Sequence, residues 1–358
     1  KNIPAYSKRN LQYSDISQPK MIDEEPELFY GFWGNSFNEY RRTEPHEGYD
    51  IISRWRDDIN SKNNREMNAT IQSYIKEKKK DYLEQQSQEH NNDDNPYDRG
   101  CESPNDIDFN SNINPGAFYF FTSNVDSHSY DYFHDYEINE CHGNIESWQC
   151  SDRDCPSGIW RIPLDYEFAV DTQSMLLRKA KEQHNNSSTK RNRRKYLLRN
   201  MAPPSSPSSS SQWYDDNDTN WPKCSTCRSL ARPAIFMFGD FSWKYDLVQS
   251  QQWEIWKETV IELLIKEKRA NEKNYKLCIL EIGCGLTVST CRSMISEQLL
   301  SLGNNTNNGN TVLIRINPDS PFLVNDNAKK QVYENANFIP IKSKGLVAIQ
   351  KIDEIYSC

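Results

Sequence analysis

Residues 276–290 read KLCILEIGCGLTVST: an apolar run, Lys276–Ile282, that stops on Gly283-Cys284-Gly285. A short aliphatic run closed by glycine predicts a buried strand. Glycine at that strand's end lets backbone N–H groups approach a phosphate or ribose, helped by the start of a following helix; the same residues also suit a plain tight turn. Two further runs, Ala234–Phe238 (AIFMF) and Val312–Ile316 (VLIRI), are separated from it by the helical stretches Gln251–Lys268 and Ser289–Leu300. This alternation predicts βαβ units and an α/β fold with a mainly parallel sheet. Ligands of such sheets bind beyond the carboxyl ends of the strands, where the turns are Gly239-Asp240, Gly283-Cys284-Gly285 and Asn317-Pro318-Asp319.

Upstream of this third, Ala117–Val125 (AFYFFTSNV) predicts one more buried strand behind Pro115-Gly116. Residues 22–59 place Leu28, Phe29, Phe32, Trp33 and Phe37, then Ile51, Ile52 and Trp55, at helical spacing and predict two short helices. From Lys62 to Gln86 the apolar positions are sparse, which predicts a solvated, protruding helix. Residues 87–115 lack periodicity and read as a linker. The basic stretch with Lys190, Arg191, Arg193, Arg194 and Lys195, followed by PPSSPSSSS at 203–211, reads as an exposed insertion, with a nuclear-import or polyanion patch as the alternative.

The chain has 358 residues with 36% hydrophobic and 26% charged side chains, and a mean hydropathy of −0.89. That average is too polar for one continuous core, so long loops are expected. Nine Trp, nineteen Tyr and fourteen Phe nevertheless require a folded interior. A net charge of −8 argues against broad nucleic-acid binding. No run reaches the roughly 18 apolar residues of a membrane span, so a soluble protein is expected. The first residue is Lys, which predicts a segment upstream.

Of ten cysteines, four form close pairs, Cys150-x4-Cys155 and Cys224-x2-Cys227. Each pair lets two thiolates reach one tetrahedral ion from a single turn, the ligand set of a structural zinc site; unrelated buried cysteines are the alternative. Such a site belongs in a reducing, intracellular compartment, nucleus or cytoplasm. Cys141-His142-Gly143 stands just before the first pair, and its histidine is a candidate base or a structural side chain.

In order along the chain, several short elements resemble the sirtuin family. They are Ile3-Pro4-Ala5-Tyr6-Ser7, Thr122-Ser123-Asn124-Val125-Asp126, His142-Gly143, the four cysteines, Arg232-Pro233 with Phe238-Gly239-Asp240, Gly283-Cys284-Gly285-Leu286-Thr287-Val288, and Ile316-Asn317. The resemblance covers roughly residues 1–56, 116–160 and 222–350. It implies a Rossmann-like NAD-binding domain from 1–21, 108–145 and 230–358, a helical module at 22–107, and a zinc-binding module at 146–229, the last two carrying long polar insertions. It implies an NAD-dependent protein-lysine deacylase releasing nicotinamide and O-acyl-ADP-ribose.

In that scheme His142 is the general base. Ile3, Pro4, Tyr6, Ser123, Asn124, Asp126, Gly283, Cys284, Gly285 and Asn317 contact NAD. Asn124 and Asp126 hold the nicotinamide-ribose end and Asn317 the adenosine ribose. Met237, Phe238 and Gly239 line the channel for the acylated lysine of a protein substrate, and Cys150, Cys155, Cys224 and Cys227 hold Zn. The family's Asp-Phe-Arg reads Ala5-Tyr6-Ser7 here, its Gln reads Ser123, and its Thr-Ser reads Cys284-Gly285. These departures imply weaker dinucleotide binding. Two other activities therefore stay open: a sirtuin-like binding or assembly module whose partners dock on the insertions, and a sirtuin-fold ADP-ribosyltransferase.

Overall fold

The computed structural model describes residues 3–61, 64–89, 114–162, 166–178, 221–270, 275–286, 288–293, 311–322 and 337–356. In chain order the helices are α1 (Pro4–Lys8), α2 (Tyr13–Ile16), α3 (Met21–Glu24), α4 (Pro26–Arg42), α5 (Gly48–Ile59), α6 (Arg65–Glu89), α7 (Leu247–Ala270) and α8 (Gly345–Tyr356). The strands are β1 (Phe120–Thr122), β2 (Ile138–Glu140), β3 (Gly143–Cys150), β4 (Trp160–Arg161), β5 (Ala231–Ile235), β6 (Leu277–Ile282), β7 (Thr311–Ile316) and β8 (Asn337–Ile341). The fold is mixed α/β. Strands β6, β7 and β8 form a parallel sheet, β1 and β2 pair in parallel, and β4, β3 and β5 form an antiparallel sheet.

The parallel sheet follows from its sequence. Residues of β6 and β7 sit opposite one another from Leu277 and Thr311 to Ile282 and Ile316. Glu281 and Arg315, cross-strand partners, are both buried and make two hydrogen bonds, Nε to Oε1 at 2.7 Å and Nη2 to Oε2 at 3.0 Å. Two planar groups matched in this way keep a charged pair tolerable in a core. On one side Ile51 of α5 and Ala348 and Ile349 of α8 pack over Ile316. Elsewhere Trp253, Trp256 and Leu263 of α7 cluster with Ile279 and Leu313.

Four readings change. Helix α6 does not protrude: Ile71 and Ile75, one turn apart, are buried against α7. Its polar average conceals a narrow apolar stripe. Ala234–Phe238, expected in the parallel sheet, gives only Ala234 and Ile235 to β5, which runs antiparallel to β3. An all-apolar pentapeptide carries no direction of its own. Here the cysteine pair just before β5 is drawn to Cys150 at the end of β3, and that closure selects the partner. Strand β3 itself was not expected, because its buried positions include Asn144, Glu146 and Gln149. The segment 22–59 holds three helices rather than two.

The longest of those three, α4, starts on Pro26, a preferred first helical residue, and ends on Arg41 and Arg42, which suit the negative helix terminus. Phe29, Trp33 and Phe37 recur every fourth residue and are fully buried with Ile145, Trp148 and Ile235 of the antiparallel sheet. Tyr30 stacks on Trp148 at 6.4 Å and donates its hydroxyl to Ala231 O at 2.7 Å. A Cβ at Gly31 would stand 2.1 Å from Met175 O, so this helix approaches the neighbouring backbone where no side chain fits. The helices of 22–107 thus serve three separate cores: α4 the antiparallel sheet, α5 the parallel sheet and α6 the α7 cluster.

Of the linker and insertion readings, 90–113, the Lys190–Lys195 patch and the serine run at 203–211 lie outside the described residues. So do Thr287 and the Ser289–Leu300 helix beyond residue 293. Among the described residues no helix is long and apolar enough to cross a membrane.

Candidate functional site

Two constellations stand out. The first is the cysteine tetrad. Cys150 ends β3, Cys155 follows in the next turn, and Cys224 and Cys227 sit in a knuckle before β5. There Arg228 N–H donates to Cys224 O at 2.9 Å with Arg228 at a positive φ of 67°. The four sulfurs lie within 4.8 Å of one another. Cys150 and Cys227 Sγ are 3.4 Å apart, and Cys155 and Cys224 Sγ 3.7 Å. A tetrahedral ion with Zn–S bonds of about 2.3 Å requires sulfurs roughly 3.8 Å apart, so the tetrad fits a metal ion and is compatible with zinc. Ser157 Oγ is 3.3 Å from both Cys155 and Cys224 Sγ. Lys244 Nζ donates to Cys155 O at 2.7 Å and Ser157 O at 2.6 Å, which ties the Cys155 turn to the chain beyond β5.

The second constellation gathers at the carboxyl ends of β1, β2, β6 and β7. After β1 come Ser123, Asn124 and Asp126. Asn124 is exposed, donates its N–H to Thr122 Oγ1 at 3.0 Å, and its side chain meets Tyr49. Asp126 accepts from His128 N–H at 3.0 Å. After β2 comes Cys141-His142-Gly143. Gly143 has φ +69°, and a Cβ there would be 1.8 Å from Ala234 O. Only glycine allows the chain to turn into β3 so close to β5.

His142 O accepts from Phe236 N–H at 2.9 Å, and its Nε2 lies 3.1 Å from Thr290 Oγ1. Thr290 opens the helical turn behind the Gly283–Gly285 loop, so His142 is seated against that loop's exit. Burial lowers the His142 pKa, with the Cys291 thiolate pulling the other way. The imidazole is therefore neutral near neutral pH and able to accept a proton.

Among the described residues nothing lies within 4 Å of where a Cβ would stand at Gly283 (φ +70°) or Gly285, the open backbone that a phosphate or ribose needs. Asn317, buried at the end of β7, donates to Cys284 O at 3.0 Å and accepts from Asp319 and Ser320 N–H at 2.9 and 2.8 Å. It shapes the glycine loop from below. Tyr6 is buried on edge against Phe32 at 5.9 Å, with Ile3 and Pro4 leading into it. Met237 is buried, whereas Phe238 and Gly239 are exposed beside a recess of about 340 Å³ that also meets Gln18, Lys20 and Phe241.

No family model matches the chain, and no curated protein matches it.

Three features escaped the sequence reading. Arg232 and Asp240, both fully buried side chains, form an ion pair at 2.8 Å that braces the turn carrying Met237, Phe238 and Gly239. Cys141 and Cys291 flank the His142–Thr290 contact, and the polar surroundings that Cys141, Cys284 and Ser123 give Cys291 lower its pKa. Cysteines flanking both His142 and the glycine loop were the available signal. Glu140, directly before Cys141, accepts from Ser129 Oγ at 2.9 Å and Asn144 Nδ2 at 2.6 Å.

Burial pushes the Glu140 pKa up to about 8; the Asn144, Ser129 and Arg161 interactions oppose this, and Asp126 adds to it. A carboxyl raised in the folded state stabilises fully below its ordinary value of 4.5 and loses that contribution as pH rises through about 8. Glu140→Gln should remove a slope of up to about 1.4 kcal/mol per pH unit in that window and be the more stable form at its upper end. Urea unfolding across the window reads this directly. Equal slopes for the two proteins would show that Glu140 is ionised throughout.

Proposed function

We propose that this chain is an NAD-dependent protein-lysine deacylase of the sirtuin type, with a Rossmann-type parallel core and a structural zinc ion on the cysteine tetrad. The observation that carries this reading is the seating of His142, 3.1 Å from the threonine that opens the helical turn behind an open glycine loop. When bound, NAD supplies an activated ribose carbon with nicotinamide as leaving group. The chain supplies the rest. Gly283, Cys284 and Gly285 offer backbone to the phosphates, and Asn124 and Asp126 face the nicotinamide-ribose end. Asn317 acts on the adenosine end by holding the loop. Tyr6 packs behind them, and Met237, Phe238 and Gly239 receive the acyl-lysine side chain. His142 accepts the proton of a ribose hydroxyl, a step general bases typically accelerate about 10²–10⁴-fold.

Calorimetric titration of metal-loaded protein with NAD should give binding that Asn124→Ala abolishes. Turnover of an acetyl-lysine peptide should fall by about two to four orders of magnitude in His142→Ala. The acidic limb of the wild-type rate profile should lie below the ordinary imidazole value of 6.5, since burial lowers the pKa of His142. A folded, metal-loaded chain that takes up no NAD would defeat the deacylase reading. A second reading, a sirtuin-like binding module without turnover, is favoured by Asn317, whose side-chain donor and acceptor both serve the chain's own backbone. The same titration assigns it.

A further inference from the structure

The recess beside Phe238 is built where three segments distant in sequence meet. Gln18 and Lys20 come from the turn between α2 and α3, Arg153 from the loop between Cys150 and Cys155, and Phe238 and Phe241 from the turn after β5. Each wall is held. Phe238 N–H donates to Ser17 O at 3.0 Å, and Tyr13 packs edge-on against the Phe238 ring at 5.9 Å. Gln18 Nε2 donates to Ser14 O at 2.7 Å. The buried Arg232–Asp240 pair braces the turn after β5. Two properties of this surface point to its occupant. Its floor is apolar, since Phe241 is 88% and Phe238 43% exposed, large rings left in water. Its rim is cationic: among the described residues Lys20 and Arg153 line it and no carboxylate does, in a chain whose net charge is −8. Glu24 lies 3.6 Å from Lys20, but that pair stands in open solvent and yields to an incoming carboxylate at little cost. Asp152, beside Arg153, has its Oδ1 engaged by the N–H of Asp154 at 3.0 Å.

We propose that this recess binds a short acidic stretch of a partner polypeptide, with carboxylates on Lys20 and Arg153 and an apolar side chain on Phe241. On the deacylase reading, on which this inference builds, that stretch lies beside the acyl-lysine of the substrate, whose side chain passes Phe238. Positive charge gathered at one rim of a negative chain is the complement of an acidic ligand and sets which partner docks. A long polyanion such as a nucleic acid meets the repulsion of the whole molecule. Two cations over an aromatic floor instead match a few acidic residues around one apolar side chain. The recess of about 340 Å³ is at the small end for a ligand pocket and suits such a segment rather than a cofactor. Because Arg153 stands between Cys150 and Cys155, an ion on the tetrad would also fix one of the two cations.

The test titrates the full, metal-loaded chain, without NAD, against fluorescent acetyl-lysine peptides flanked either by Asp and Glu or by Lys and Arg, and reads anisotropy. The acidic peptide should bind roughly tenfold more tightly than the basic one. That preference should shrink at about 0.5 M salt. Lys20→Glu combined with Arg153→Glu should reverse it, and Phe241→Ser should weaken acidic-peptide binding roughly fivefold. If the doubly substituted chain does not fold, the peptide pair on the wild-type chain and the Phe241→Ser variant decide. Equal binding of the two peptides, an acidic preference that survives both charge reversals, or a single-stranded oligonucleotide that binds more tightly than the acidic peptide would each overturn the proposal. The titration is independent of turnover. A chain that takes up no NAD yet keeps the charge preference loses the deacylase reading and retains the acidic recess.

Discussion

Chelating the metal, or replacing Cys224 by Ser, is expected to melt the β3–β4–β5 sheet rather than loosen one turn. The tetrad joins the last residue of β3 to the knuckle that feeds β5, and three of its four cysteines are buried. Without an ion, four thiols would stand in van der Waals contact with no bond to offset ordering the two turns. Metal binding by such sites contributes on the order of 10 kcal/mol of folding free energy, which exceeds the stability of many whole domains. Near-ultraviolet circular dichroism should follow the loss, because Trp148 and Trp160 face each other across β3 and β4 and Trp160 packs on the tetrad. Protein purified under reducing conditions with one equivalent of metal, released by thiol modification together with the tryptophan signal, is the expected result. Metal-free protein with the same spectrum would show that the four cysteines hold the fold without an ion.

The second large effect is Asp240→Ala. Arg232 is fully buried; burial lowers its pKa while Asp240 beside it opposes that shift. The carboxylate also accepts from Ser242 N–H at 3.1 Å and Met237 N–H at 3.4 Å. Removing it strands a guanidinium away from water, which costs about 3–5 kcal/mol. It also frees the turn on which Phe238 and Gly239 stand. Denaturant unfolding should show the full loss in Asp240→Ala and much less in the double substitution Arg232→Met with Asp240→Leu, where no charge is left unpaired. Equal destabilisation of the two would mean that the turn's hydrogen bonds, and not the buried charge, dominate.

The parts legible in the sequence were those in which one segment carries its own signal. Lys276–Ile282 and Val312–Ile316 are apolar enough to be strands in any context, and they pair in parallel as β6 and β7. The cysteine pairs are readable because each places two ligands on one turn. The remainder depends on contacts between distant segments. Nothing local to GNIESWQC shows that Asn144 caps a carboxyl at Glu140 or that Gln149 reaches Ser242 O at 2.7 Å, so polar residues hid a central strand. Ile71 and Ile75 look isolated until Trp253 and Trp256 cover them. The meeting of His142 with Thr290 is a tertiary fact with no counterpart in spacing.

The tetrad has one more consequence, for how this chain can vary. The 68 residues between Cys155 and Cys224 leave from and return to a single point, the cysteine tetrad. Closing a longer loop at a fixed point is cheap: doubling its length costs only about 0.6 kcal/mol, far less than a bound ion contributes. An ion held by the tetrad would thus make it a permissive port, through which sequence beyond β4 and the buried Tyr166, Phe168, Met175 and Leu177 can be gained or shed while His142, at the far end of the same strand, keeps its place.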